Sequence, residues 1–87
     1  MAALLITFEI NTQHCEVDAL IDTIESYPHR QLTKNAYAIK TTEAPREVFE
    51  HLGQHLSPQD AIYIITLKRP YYGHGPMELN EWLKKEL

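Results

Sequence analysis

Leu4-Leu-Ile-Thr-Phe-Glu-Ile10 is the stretch that decides the fold of this chain. Its β-branched and aromatic content reads as a strand, because such side chains suit a pleated, packed surface. Side chains alternate along a strand, so Leu4, Ile6, Phe8 and Ile10 share one face, while Leu5, Thr7 and Glu9 share the other. Apolar residues stand on both faces, which predicts an interior strand. A second stretch of the same kind, Ala61-Ile-Tyr-Ile-Ile-Thr-Leu67, predicts another buried strand far along the chain.

Between them the periodicity changes. Val17, Leu20, Ile21, Ile24 and Tyr27 recur at helical spacing, with Glu16, Asp18, Asp22 and Glu25 largely opposite, and Pro28 ends the helix. His29 to Thr42 contains no acid and reads as two strands, Arg30–Thr33 and Ala36–Thr41, joined by a Lys34-Asn35 turn. The first is short and polar, as an edge strand tends to be. Thr42 is placed to cap a second helix, with Pro45 near its start and Val48, Phe49, Leu52 and Leu56 as its apolar stripe. After the second buried strand comes a glycine- and proline-containing loop. Leu79, Trp82, Leu83 and Leu87 then mark a C-terminal helix.

The order βαββαβ plus a helix predicts an α+β, ferredoxin-like domain. Its four-stranded antiparallel sheet takes the order 4-1-3-2, with two helices on one face. Eighty-seven residues support one such domain, with 1–67 as the βαββαβ core and 68–87 as loop and C-terminal helix. The other sheet face then carries Leu5, Thr7 and Glu9 with parts of Tyr63, Ile65 and Leu67. A face that apolar predicts a homodimer through Leu5, Thr7, Tyr63 and Ile65, with Tyr71 and Tyr72 of the aromatic loop as further contacts. The competing expectation is that the C-terminal helix folds back over the face and the chain stays monomeric.

Composition narrows the function classes. Eight Lys and Arg against twelve Asp and Glu give a formal charge of −4, so the overall basic excess common in nucleic-acid binders is missing. The apolar runs are too short to span a bilayer, and no basic n-region precedes them, so the expected compartment is the cytoplasm, without membrane association. The single cysteine, Cys15, cannot form an internal disulfide and suits a reducing environment.

Leu5-Ile-Thr-Phe-Glu-Ile10, Phe8-Glu-Ile-Asn11, the helix Val17–Tyr27, Asn35-Ala-Tyr-Ala-Ile-Lys-Thr41, Ser57-Pro-Gln-Asp60 and Glu81-Trp-Leu83 occur in an order that resembles an uncharacterised set of short proteins labelled SinR-like. These are similar in turn to the small CRISPR adaptation endonucleases and the virulence-associated protein D ribonucleases. The resemblance spans nearly the whole chain and implies a ferredoxin-like homodimer built on the sheets. In the nuclease relatives an aspartate at the end of the first strand is thought to bind a divalent metal; Glu9 stands at that position, one methylene longer. The loop after it, Asn11-Thr-Gln-His14, lacks the basic residues of the adaptation endonucleases.

Glu9 is the charge that interrupts an apolar strand, and such a charge needs solvent, a cation or a donor. Pairing with Lys34 or exposure at the strand end is one reading. A metal site with Asp60 or a second subunit's Glu9, holding an ion such as magnesium, is the other. His51 and His55 are one helical turn apart, but no third ligand lies at a suitable spacing, and Glu47 is within reach of His51. Arg30, Lys34 and Lys40 form the acid-free basic stretch that would meet a phosphate backbone, or would simply guard an edge strand. Trp82 is expected to be a core or interface anchor and not a base-stacking platform. The residues favour a non-catalytic, cofactor-free dimeric module acting through protein contacts, in a toxin–antitoxin, phage or defence setting. The alternative is a metal-dependent ribonuclease or deoxyribonuclease using Glu9.

Overall fold

The computed structural model describes residues 1–11 and 16–87, so His14 and Cys15 lie outside the described residues. Seven elements follow one another: β1 (Ala2–Glu9), α1 (Val17–Glu25), β2 (His29–Thr33), β3 (Ala36–Thr41), α2 (Pro45–Gly53), β4 (Ala61–Thr66) and α3 (Met77–Glu86). The strands form one open sheet in the order β2-β3-β1-β4, which read from the β4 edge is 4-1-3-2. All three neighbouring pairs are antiparallel. Thus β1, apolar on both faces, lies inside the sheet, and the polar β2 lies at an edge.

The alternation of β1 sets the core. Leu4, Ile6 and Phe8 point to one side and meet Tyr37 and Ile39 of β3, Leu20 and Ile24 of α1, and Val48 and Leu52 of α2 in one buried cluster. Both helices therefore cover the same face. Each large aliphatic side chain so buried contributes about 1.5–3 kcal/mol, and Phe8 stacks near Tyr37 at 6.5 Å between ring centroids. The chain leaves α1 through Ser26, whose hydroxyl donates to the Thr23 carbonyl at 2.6 Å, and Pro28 blocks continuation.

Several expectations need correction. Thr42 does not cap α2. Pro45 occupies the first turn and holds Ala44 extended (φ −72°, ψ 156°), so the N-cap falls there. The Glu47 side chain reaches back to accept the Ala44 N–H at 3.1 Å. It is Thr41 whose hydroxyl accepts the N–H of Glu43, at 3.0 Å. Phe49 and Val17 are exposed, because α2 and α1 bury the narrower stripes Val48/Leu52 and Leu20/Ile24. The last strand is not buried on both sides: as an edge it packs Ile62 and Ile64 inward and leaves Tyr63 and Ile65 exposed. Trp82 is half-buried; the buried anchor of α3 is Leu79.

Of the two fates expected for the open face, the fold-back of the C-terminal helix is seen over part of it. Lys40, on that face of β3, forms an ion pair with Glu86 of α3 at 3.0 Å, and α3 contacts β2. Ala38, on the same face, is fully buried. The C-terminal helix thus comes down on the β2–β3 half and leaves the β4 side uncovered. The Arg69–Pro70 peptide in the intervening loop is cis. Among the described residues no helix is long and apolar enough to cross a membrane.

Candidate functional site

The end of β1 is where the two readings of Glu9, a solvated or Lys34-paired carboxylate and a metal ligand, part. Glu9 is exposed there, opposite Ala61 of β4. Asp60, one residue earlier, has both carboxylate oxygens engaged. Oδ1 accepts the N–H of Asn11 at 2.7 Å; Oδ2 accepts the N–H of Ser57 at 2.9 Å and its hydroxyl at 3.1 Å. Asn11 Nδ2 also donates to the Gln59 carbonyl at 2.9 Å. Asp60 is thereby a clamp between the chain leaving β1 and the turn entering β4. Among the described residues no three His, Cys, Asp or Glu side chains gather in a metal-ligating group. Lys34 lies in the turn beside this end, where the Asn35 carbonyl accepts the Phe8 N–H at 3.0 Å. Among the described residues no ion pair joins Lys34 to Glu9; Glu9 reaches solvent instead.

The three basic candidates do not make one strip. Lys40 is largely covered and neutralised by Glu86. Arg30 folds onto its neighbour, with Nη1 donating to the His29 carbonyl at 2.7 Å, and Lys34 stands exposed in the turn. A different grouping appears at the far end of the chain. Arg69 Nη2 donates to the Lys84 carbonyl at 2.6 Å, bringing the Lys68-Arg69 and Lys84-Lys85 pairs into one region. Two basic dipeptides flanking a short loop were the available sequence signal.

The two histidines do not share a helix. Helix α2 ends at Gly53, so His51 lies in its last turn while His55, like Leu56 of the expected stripe, lies beyond it. Each serves a separate neighbour. His51 Nε2 lies 3.0 Å from Glu43 Oε2, so its partner is Glu43, while Glu47 Oε1 accepts the Ala44 N–H. His55 Nε2 lies 3.4 Å from the Thr23 hydroxyl, and its Nδ1 is 4.0 Å from Glu16. Glu43 also accepts the Tyr27 hydroxyl at 2.6 Å. That bond first, and His51 as well, hold the Glu43 carboxyl below its ordinary range against an opposing effect of burial. Burial, the same bond and the charges of Glu43 and Glu47 push Tyr27 up to about 12. This cluster ties the end of α1 to the start of α2, and the eight-residue separation of Glu43 and His51 hid it from helical-spacing arguments.

What remains uncovered is the β4 side. Tyr63 is 67% and Ile65 51% exposed, and they stand in register with the half-buried Thr7 and Leu5 of β1. The four expected face contacts are therefore neighbours. Phe49, 47% exposed, lines shallow hollows between α2 and β4 together with Ile62 and Tyr63. Tyr71 and Tyr72 lie on the loop before α3, and Tyr72 is wholly exposed. No family model, curated protein or solved structure matches the chain.

Proposed function

We propose that this chain is a ferredoxin-like module that forms a homodimer through β4 and the adjoining open face, and acts through protein contacts without catalysis. One observation carries the reading: Ala61–Thr66 is a six-residue edge strand with no charge and no proline, and it exposes Tyr63 and Ile65. Unprotected edges present a row of backbone donors and acceptors that another strand can satisfy. The opposite edge is protected. β2 carries Arg30 and Gln31, has a register irregularity between Gln31 and Thr33, and is contacted by α3.

A second copy is the occupant that fits. An uncharged strand meets its two-fold mate antiparallel without like-charge repulsion, and the pair closes instead of growing. Tyr63 and Ile65 of each copy would then lie across the new junction, where aromatic and β-branched pairs contribute about 0.2–1 kcal/mol each. Static light scattering tests this. A mass near twice the 10.1 kDa of the chain is expected, falling to the single-chain value in Ile65→Lys. A single-chain mass for the unaltered protein at tens of micromolar overturns the reading.

A further inference from the structure

Between α3, the open face and the loop after β4 lies a cleft of about 240 Å³ lined by Leu32, Leu67, Leu79, Leu83 and Leu87. Leu79, Leu83 and Leu87 stand at i, i+4 and i+8, so they form the apolar stripe of α3. That stripe ought to seat fully on the sheet. Only Leu79 is buried, and the other four leucines remain half-exposed around the cleft.

The cleft is not isolated. It runs past Tyr71 and Tyr72 into a shallower hollow that adds Lys84, and this meets a third hollow bordered by Arg69 and Lys84. Although acids outnumber bases twelve to eight in the chain, no acidic side chain lines any of the three. Arg69 and Lys84 are held side by side by the bond from Arg69 to the Lys84 carbonyl, and the Lys84 ammonium has no ion-pair partner among the described residues. The trough is therefore apolar at one end and positive at the other, with exposed tyrosines between. Tyrosine and arginine are the side chains that protein interfaces favour, and the charge asymmetry selects what enters.

We propose that this trough docks a peptide segment of a partner protein in which a bulky apolar side chain is flanked by carboxylates. The leucine end accepts the apolar side chain, Tyr71 and Tyr72 lie along the segment, and Arg69 and Lys84 meet the carboxylates. A single-stranded nucleic acid would satisfy the bases and tyrosines but has no aliphatic group for the five leucines, so the peptide fits better. Neither Tyr63 nor Ile65 lines the trough, so the site goes beyond the dimer reading, and it takes Tyr71 and Tyr72, expected above as dimer contacts, for the peptide instead.

The test is fluorescence anisotropy with a labelled peptide of about a dozen residues that alternates Leu or Phe with Asp or Glu, against three comparison probes. These are a Lys-for-acid version, a Ser-for-apolar version and a labelled oligothymidine. The acidic apolar peptide should bind at least about tenfold more tightly than each of the others, and weaken as salt is raised past the Debye-screening range. Lys84→Glu and Tyr72→Ala alter exposed side chains, so the fold is kept, and each should weaken binding several-fold. Ile65→Lys, which breaks the proposed dimer, should leave peptide binding unchanged. Equal binding of the acidic and Lys-containing peptides, tighter binding of the oligothymidine, unchanged binding in Lys84→Glu, or loss of binding in Ile65→Lys would each overturn the proposal.

Discussion

Asp60→Ala is the perturbation that best separates a structural from a metal-binding role at the end of β1. Among the described residues, hydrogen bonds from two backbone N–H groups and one hydroxyl converge on this carboxylate. Bonds to charged groups contribute about 1.5–3 kcal/mol when buried. Here the Asn11 end is exposed and the Ser57 end only part-buried, so water replaces much of what is lost, and about 2 kcal/mol in total is expected. For a domain of this length the entropy of unfolding makes 1 kcal/mol worth about 5–6 °C, so the melting temperature should fall by about 10 °C. Asp60→Asn keeps one acceptor oxygen and should lose roughly half as much. The assay is thermal unfolding by circular dichroism, with and without millimolar magnesium. A drop under about 2 °C, or a magnesium-dependent stabilisation of the unaltered protein that Asp60→Ala abolishes, would refute the clamp and restore the metal role.

Tyr27→Phe should remove an alkaline sensitivity. Because folding raises the tyrosine to about 12, its contribution is complete below the unfolded value near 10 and lost as pH climbs from there towards 12; stability measured across that range should fall more steeply in the unaltered protein. Glu43→Gln tests the acid side: a carboxyl lowered by folding stabilises above its unfolded pKa of about 4.3 and loses that effect as pH falls through the folded value. The difference in urea midpoint between the two proteins should accordingly shrink below about pH 4. Trp82→Ala, at a half-buried position, should cost about 1–2 kcal/mol, less than the 3–5 typical of a fully buried ring; an unchanged melting point would mean that α3 does not pack through this residue. Finally, the purified protein with magnesium or manganese should cleave neither RNA nor DNA, and cleavage that disappears in Glu9→Gln while the dimer persists would establish the nuclease reading.

Residue types and periods disclosed the elements, their order and most of the core. The alternation of Leu4, Ile6 and Phe8 is strict enough that a one-residue slip would expose all three, so the inward face was legible from β1 alone. Helical stripes were less informative at their margins. Phe49 follows Val48 by about 100° around the helix, and only a neighbour on that side could bury it; β4 ends too close to the sheet's rim to do so. Trp82 suffers the same way beside the Leu79–Leu83–Leu87 stripe. Contacts between distant segments were illegible for a different reason. Asn11 and Asp60 are 49 residues apart, and nothing local in either announces the bond. Lys40 reads as a free edge-strand base until α3 delivers Glu86 to it.

The asymmetry of the two sheet edges explains why α3 can protect one half of the open face and leave the other. Helix α3 carries one apolar stripe, Leu79–Leu83–Leu87, and one well-placed acid, Glu86, whose partner Lys40 lies on β3. Their positions draw the helix towards β2 and β3, where it meets a strand already guarded by Arg30 and by its own irregular pairing. Nothing comparable pulls it towards β4. The strand itself carries no charge, and Asp60, just before it, is engaged by Asn11 and Ser57. A chain of this size buries a modest share of its surface, so covering the exposed Tyr63 and Ile65 in the proposed dimer would add to its stability. Placing a lysine at Ile65 should therefore abolish the dimer while leaving the monomer's melting temperature nearly unchanged, since that side chain contributes little to the monomer's own core. Unfolding on substitution would show instead that Ile65 is covered within its own chain, and the argument from the two edges would fail with it.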